Sequence, residues 1–458
     1  MESTKTYIKS IGRKIKQSLF SPVWRFRKIR NSWRIKKLNE RTYRKLPARK
    51  DQPNLIKSRQ ILERILTQNI IQFWYPEVLD REYGGYRFNH DIEGVWGGHI
   101  NKNFIPQART LWFFSKLANS PHGKKEHLEA AKYGFDFISQ SMWDTKSGGF
   151  FWQVDPSGDK PTVPEKYLVA QSFGLFALSE YAMVSKDDSA RELARQLFNI
   201  FERIAYDSRN GGYQSLFDRD WNPIGKDTRV HFGVNDGSKT VNLHLHIMEA
   251  LTLYYRLTND QMAYRRLIEL ILIESNSVIR KTIGASTDKY HVNWKPVLSD
   301  KLSLINFGHD LENITLLIEA CAAVEIPVFL LLDLYRTVFS YILKYGFDRV
   351  KGGFFRSAPI QTRDYYQEKI WWIQAEGLLC ALNMYQVTRE EVYLNCFAQT
   401  LDWINQYQVD WQNGEWFAQV YKNGKPAGFK ADKWKTPYHN GRAALQSLEI
   451  LGSLAETN

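Results

Sequence analysis

Five times along this chain an aspartate is followed four residues later by a glycine pair or its near copy. The segments are DREYGGYRF from Asp80, DTKSGGFFW from Asp144, DSRNGGYQS from Asp207, DRVKGGFFR from Asp348 and DWQNGEWFA from Asp410, where Glu415 replaces the second Gly. Successive aspartates lie 64, 63, 141 and 62 residues apart. Such regular spacing marks a repeat architecture, in which one supersecondary unit is stacked many times. The 141-residue gap holds two units, and Asp288 in DKYHVNW is the expected degenerate copy between them. Six units follow. Asp and Gly supply turn geometry and the aromatics after them favour extended backbone, so each signature reads as a turn entering a short strand.

Between signatures the apolar residues fall at helical spacing. The pattern predicts helices near 56–75, 105–118, 125–142, 165–184, 188–204, 240–257, 260–279, 309–323, 328–345, 367–386, 390–407 and 437–452. Helices after the glycine signatures are apolar nearly all round, as doubly packed helices are. Those before them carry a charged face, as in SKDDSARELARQLFNIF. Twelve helices in six pairs predict an all-α (α/α)6 barrel, with short β-hairpin-like segments in its connecting loops. An open helical solenoid is the alternative.

Charge is unevenly spread. Residues 1–50 hold 17 Lys and Arg against 2 acidic residues, a net of +15 in a chain of +13, so the remainder is close to neutral at −2. The expected division is a basic extension over 1–53 and a catalytic barrel over 54–458. Ile8, Ile11, Ile15, Leu19 and Phe20 interleave with the basic residues at helical steps. That amphipathic pattern fits an anionic membrane surface, with a solvated arm as the plainer alternative; no nucleic-acid motif is present. The three cysteines lie in apolar helical patterns without metal-ligand spacing, as buried thiols of a reducing compartment do. With no 18-residue apolar run and no signal-peptide pattern, a cytoplasmic protein, peripheral to a membrane through its tail, is expected.

Each inner helix carries polar residues near its start: Arg109; Tyr167 and Gln171; Asn242, His244 and His246; Asn306, His309 and Glu312; Trp371, Trp372, Gln374 and Glu376; Trp434, Tyr438, His439 and Arg442. In a closed ring these starts share one end, so the residues converge on one cavity. His244 and His246 point about 200° apart on a helix and cannot chelate one ion; no metal site is expected. Asn242 and His246 share a face, and Glu312 is spaced to orient His309.

The motifs QARTLWFFSKLA, NLHLHIMEA, FGHDLE, WWIQAE and KWKTPYHNGR resemble the N-acylglucosamine 2-epimerase superfamily, most of all its cellobiose 2-epimerase branch, over residues 55–452. The resemblance implies an (α/α)6 barrel and an isomerase of sugars. It implies that His309 and His439 are acid/base histidines, with Glu312 supporting His309. Arg109, Asn242 and His246 would contact sugar oxygens, Trp372 and Trp434 would stack on the sugar, and Glu376 joins this wall. Gln107 departs from the branch's NARxLW pattern. The implied reaction inverts C2 of an aldose, an N-acylglucosamine or a glucose-type reducing end as in cellobiose, through an enediolate and without a cofactor. An aldose–ketose isomerase of the mannose isomerase type would use the same histidines. A glycoside hydrolase would need a carboxylate pair such as Glu312 and Glu376, and a sugar-binding protein without catalysis is the remaining alternative.

Overall fold

A computed structural model describes residues 53–224, 238–298, 304–359 and 366–456; the basic extension lies outside them. Twelve helices follow in chain order among the described residues. They are α1 (Leu55–Arg64), α2 (Phe104–Ala118), α3 (Lys125–Phe137), α4 (Leu168–Ser185), α5 (Asp188–Ile200), α6 (Val241–Thr258), α7 (Gln261–Ile273), α8 (Phe307–Ala323), α9 (Leu332–Tyr345), α10 (Trp371–Thr388), α11 (Glu391–Trp403) and α12 (Tyr438–Glu456). The even-numbered helices touch one another all the way round, α12 returning to α2, and each odd-numbered helix packs outside an even one. The (α/α)6 ring is closed.

Composition follows position. Helix α4 is long and apolar enough to cross a membrane, yet 83% of its apolar window is buried inside the protein, as the inner ring demands. The outer helix α5 buries Ala190, Ala194, Leu197, Phe198 and Ile200 and exposes its charged face. Five of the six outer helices end in a π turn that leads into a signature turn.

The signature is a backbone device. Asp80 N–H donates to Gly85 O at 3.0 Å, and Gly84 N–H donates to Asp80 O at 2.9 Å. Both glycines have positive φ, 81° and 68°. A Cβ on Gly85 would lie 2.6 Å from the Phe137 ring, so a side chain is excluded by space as well as by conformation. The same two bonds recur at Arg280, whose N–H reaches Ala285 O at 3.0 Å while Gly284 N–H reaches Arg280 O at 2.8 Å. The degenerate copy is therefore Arg280–Ala285 and not Asp288. Arg and Ala there keep the backbone pattern while losing the sequence signature.

Two side-chain devices lock the units, each found in five of the six among the described residues. A buried lysine bridges the signature Asp and a glycine carbonyl: Lys102 lies 2.7 Å from Asp80 and 2.6 Å from Gly84 O. Lys166, Lys239, Lys369 and Lys430 repeat the arrangement with Asp144, Asp207, Asp348 and Asp410. Then a polar residue in the first turn of an inner helix pins the backbone just past the glycines. Gln107 accepts from Tyr86 N–H and donates to Tyr86 O, both at 2.8 Å. Gln171 and Gln374 treat Phe150 and Phe354 alike. His244 accepts from Tyr213 N–H at 3.0 Å, and Asp310 accepts from Ser286 N–H at 3.0 Å.

The ring closes where its ends meet. Helix α1 packs on α12. Glu415 takes a hydrogen bond from Trp74 Nε1 at 2.5 Å and from Lys435 and Asn440 at 2.6 Å each. The one departure from Gly-Gly in the five signatures thus supplies a carboxylate to the seam.

Candidate active site

The inner helices begin at one end of the ring, and short strands just before them fix their starts. Lys239–Thr240 pairs antiparallel with Lys289–Tyr290, and Leu304–Asn306 with Ser357–Pro359. Asn306 caps α8, accepting from Gly308 N–H at 3.0 Å. His309 therefore stands in the first turn of a capped helix, and His439 in the first turn of α12.

Both imidazoles pack on Trp372, whose ring centroid is 5.3 Å from His309 and 5.6 Å from His439. Each is held at Nδ1 by a carboxylate. His309 Nδ1 donates to Asp288 at 2.9 Å, and His439 Nδ1 donates to Glu376 at 2.6 Å. A carboxylate at Nδ1 fixes the tautomer and leaves Nε2 for chemistry. Their environments then diverge. Burial, helped by the positive charges of Arg109 and Arg442, outweighs Glu376 and pushes His439 down to about 3. Burial also opposes charging His309, but Asp288, then Glu312 and Asp310, outweigh it and raise its pKa. Paired groups driven apart in this way are suited to base and acid work respectively.

Arg442 is the centre of the charge network. Its Nη1 donates to Glu249 at 2.5 Å, and its Nη2 to Glu376 at 2.6 Å and to Glu312 at 3.2 Å. Burial, then the Glu376 charge, pushes Glu312 up to about 8, while Arg442 and His439 outweigh burial and hold Glu376 down to about 2. Glu312, Glu376 and His439 could offer a metal three ligand atoms within 4.8 Å of one another. Arg442 already supplies the positive charge there, and His439 is engaged at Nδ1.

The expected pairing of Glu312 with His309 is not made. Glu312 turns to Arg442, and Asp288, first read as part of a turn signature, takes the imidazole. The same spacing does form a bond on α6, where His246 Nδ1 donates to Glu249 at 3.1 Å. Asn242 stands one turn nearer the helix start than His246, half-buried. Arg109 lies over the rings of Phe173 at 4.2 Å and Tyr438 at 4.9 Å, and donates to Trp434 O at 3.3 Å. Its Nε is buried without a hydrogen-bond partner. Trp434 sits at the mouth, 6.4 Å from Trp152, which packs on Tyr167. Glu376, expected on the sugar-binding wall, has one oxygen on His439 and the other on Arg442. Gln171, His244 and Gln374 do not converge on the cavity; they are the pins of their units. Sequence reading missed Glu249, although its spacing from His246 matches that of Glu312 from His309.

The family model for N-acylglucosamine 2-epimerase (GlcNAc 2-epimerase) matches residues 85–443. The cellobiose 2-epimerase of Dictyoglomus turgidum is 29% identical over 388 residues, 84% of this chain and 96% of that protein. That of Bacteroides fragilis is 28% identical over 393 residues, 85% of this chain and 98% of its own. The solved structure of cellobiose 2-epimerase from Bacillus thermoamylovorans superposes with a TM-score of 0.80 at 26% identity, covering 86% of this chain and 99% of that one.

Proposed function

The chain belongs to the N-acylglucosamine 2-epimerase family, a carbohydrate epimerase within it, and from that premise we propose that it inverts C2 of a glucose-type reducing end, as in cellobiose, with His309 and His439 as its two acid/base groups. The observation that carries this reading is the pair of carboxylate-backed imidazoles packed on Trp372, one environment favouring the neutral form and the other the charged form. The choice of sugar rests on the two relatives above, both cellobiose 2-epimerases.

The chemistry follows from the groups. The sugar ring opens to expose the C1 aldehyde. Nε2 of neutral His439 takes the C2 proton, and the electron pair moves onto the C1 oxygen as an enediolate. The Arg109 guanidinium is the group proposed to stabilise that oxygen, in the manner of an oxyanion donor. Protonated His309 returns a proton to the opposite face of C2 and the aldehyde re-forms. In the reverse direction the two imidazoles exchange roles. Asn242 and His246 hold the neighbouring hydroxyls, and Trp434 stacks on the sugar at the mouth. A hydrolase reading has no support here, because Glu312 and Glu376 both bind one guanidinium rather than flanking a bond.

The test is incubation with cellobiose, glucose, mannose and N-acetylglucosamine in deuterated water. Deuterium at C2 of an epimer, fastest from cellobiose, is the expected result. A ketose as sole product would replace epimerisation by aldose–ketose isomerisation, and no incorporation with any of the four would end the reading.

The tail reading is also a proposal: residues 1–50 dock on an anionic membrane surface. Each Lys or Arg near such a surface contributes about 1 kcal/mol, weakened by salt. Removing residues 1–50 should leave turnover and melting unchanged and reduce co-sedimentation with anionic vesicles at low salt. Equal sedimentation of both forms would leave the tail a solvated arm.

A further inference from the structure

We propose that Asp288 is a positioning residue of the reaction: it holds His309 with Nε2 toward the cavity and keeps that imidazole as the protonated partner of the pair. The inference rests on the epimerase reading for its kinetic consequences, and on geometry for its structural content.

Asp288 occupies a position that recurs in the repeat. Its carbonyl accepts from the first N–H of α6, Val241, at 3.1 Å. Trp152 and Ala418 do the same for Phe104 of α2 and Trp371 of α10, at 2.9 Å and 3.0 Å, and Ser215 for Leu168 of α4 at 2.9 Å. At this position the backbone is fixed by one inner helix while the side chain stands at the rim. Trp152 shows the consequence: its ring leaves α2 and packs on Tyr167, the residue just before α4. Asp288 does the equivalent two units of the repeat further on, leaving α6 to reach His309 in the first turn of α8. Among these four residues Asp288 is the only acid, and it faces a histidine.

The bond joins a group that is 50% exposed to one that is 15% exposed, so the carboxylate stays solvated while it backs a buried ring. Other charges face the same imidazole. Asp310 and Glu312 lie on its own helix. Glu274, from the π turn after α7, is close enough to respond to it. His439 packs on the same Trp372. Of these, Asp310 is bonded to Ser286 and Glu312 to Arg442, so among the described residues the carboxylate that takes a hydrogen bond from the ring is Asp288. This also assigns different supports to the two imidazoles. Glu376 is locked in a buried ion pair, whereas Asp288 is a rim residue that a bound sugar can cover.

The experiment compares wild type with Asp288→Asn and Asp288→Glu. Histidine-selective nitrogen labelling, with His309→Ala for assignment, follows the His309 titration without any sugar. The pKa of His309 is raised in the wild type, so loss of the carboxylate charge should make the ring lose its proton at lower pH. The alkaline limb of kcat/KM should move the same way, because the acid must be protonated to act. Turnover of Asp288→Asn should fall about 10- to 100-fold, the range for removing a partner that orients an imidazole, with KM little changed and the melting temperature retained. Asp288→Glu keeps the charge and should restore most of the titration shift. An unmoved His309 titration in Asp288→Asn, or a full-rate enzyme with an unmoved alkaline limb, overturns the proposal. If the wild type exchanges C2 of none of the four sugars while the titration still moves, the epimerase reading fails and the Asp288–His309 pairing stands.

Discussion

His439→Ala and His309→Ala should each lose at least ~10²–10⁴ in turnover, the usual contribution of a general acid or base, while circular dichroism and melting stay close to wild type. Both side chains pack on Trp372, and neither lies in the lysine latches or the pins that hold the units together. The two losses should differ in their pH dependence. In the proposed mechanism His439 takes the proton in its neutral form, and its pKa is pushed down to about 3, so it should stay competent through the neutral range. His309 gives the proton in its charged form, and its pKa is raised, so activity should fall as pH climbs through that raised value. In His309→Ala the remaining activity should therefore lose its alkaline limb. A pH–rate profile over the stable range of each variant checks this. A folded variant of either kind that turns over at wild-type rate removes that histidine from the mechanism.

Arg442→Met should damage the fold as well as the reaction. The guanidinium is fully buried between Glu249, Glu312 and Glu376. Taking one partner from a buried ion network leaves uncompensated charge and costs about 3–5 kcal/mol. Denaturant midpoints should drop accordingly, and activity should vanish because Glu376 no longer holds His439 in place. Adding Glu312→Gln and Glu376→Gln to Arg442→Met should recover part of the stability and none of the activity. If Arg442→Met alone keeps the wild-type midpoint, the network contributes nothing to folding.

The fold was legible because the turn of each unit needs glycine. Positive φ with no room for a Cβ leaves few substitutes, so Gly84–Gly85 and its copies stay visible. The copy at Arg280 was not legible, since backbone bonds can be made by residues that carry no signature. Glu415 shows how far the pattern can bend, holding φ of 60° where the other signatures have their second Gly. At the site, helical spacing located His309, His439 and Arg109, because a polar residue on a buried helix stands out. It could not name their partners. Glu376 and His439 are 63 residues apart and Glu249 and Arg442 are 193 apart. Such pairs arise from closure of the ring, and spacing within one helix says nothing of them. Glu312 shows the failure most directly, since its local spacing pointed to His309 while a guanidinium from α12 drew it away.

The seam between α1 and α12 has a bearing on how such a molecule comes into being. A ribosome delivers α1 first and α12 last, and domains otherwise tend to fold from the N-terminus as they emerge. Here Trp74 waits for Glu415, and the carboxylates on α6, α8 and α10 wait for Arg442. His439 arrives on the same helix as Arg442. Five-sixths of the ring is thus an open arc whose inner-wall acids still lack Arg442 and whose histidine pair still lacks His439, so the last helix completes the site and closes the scaffold together.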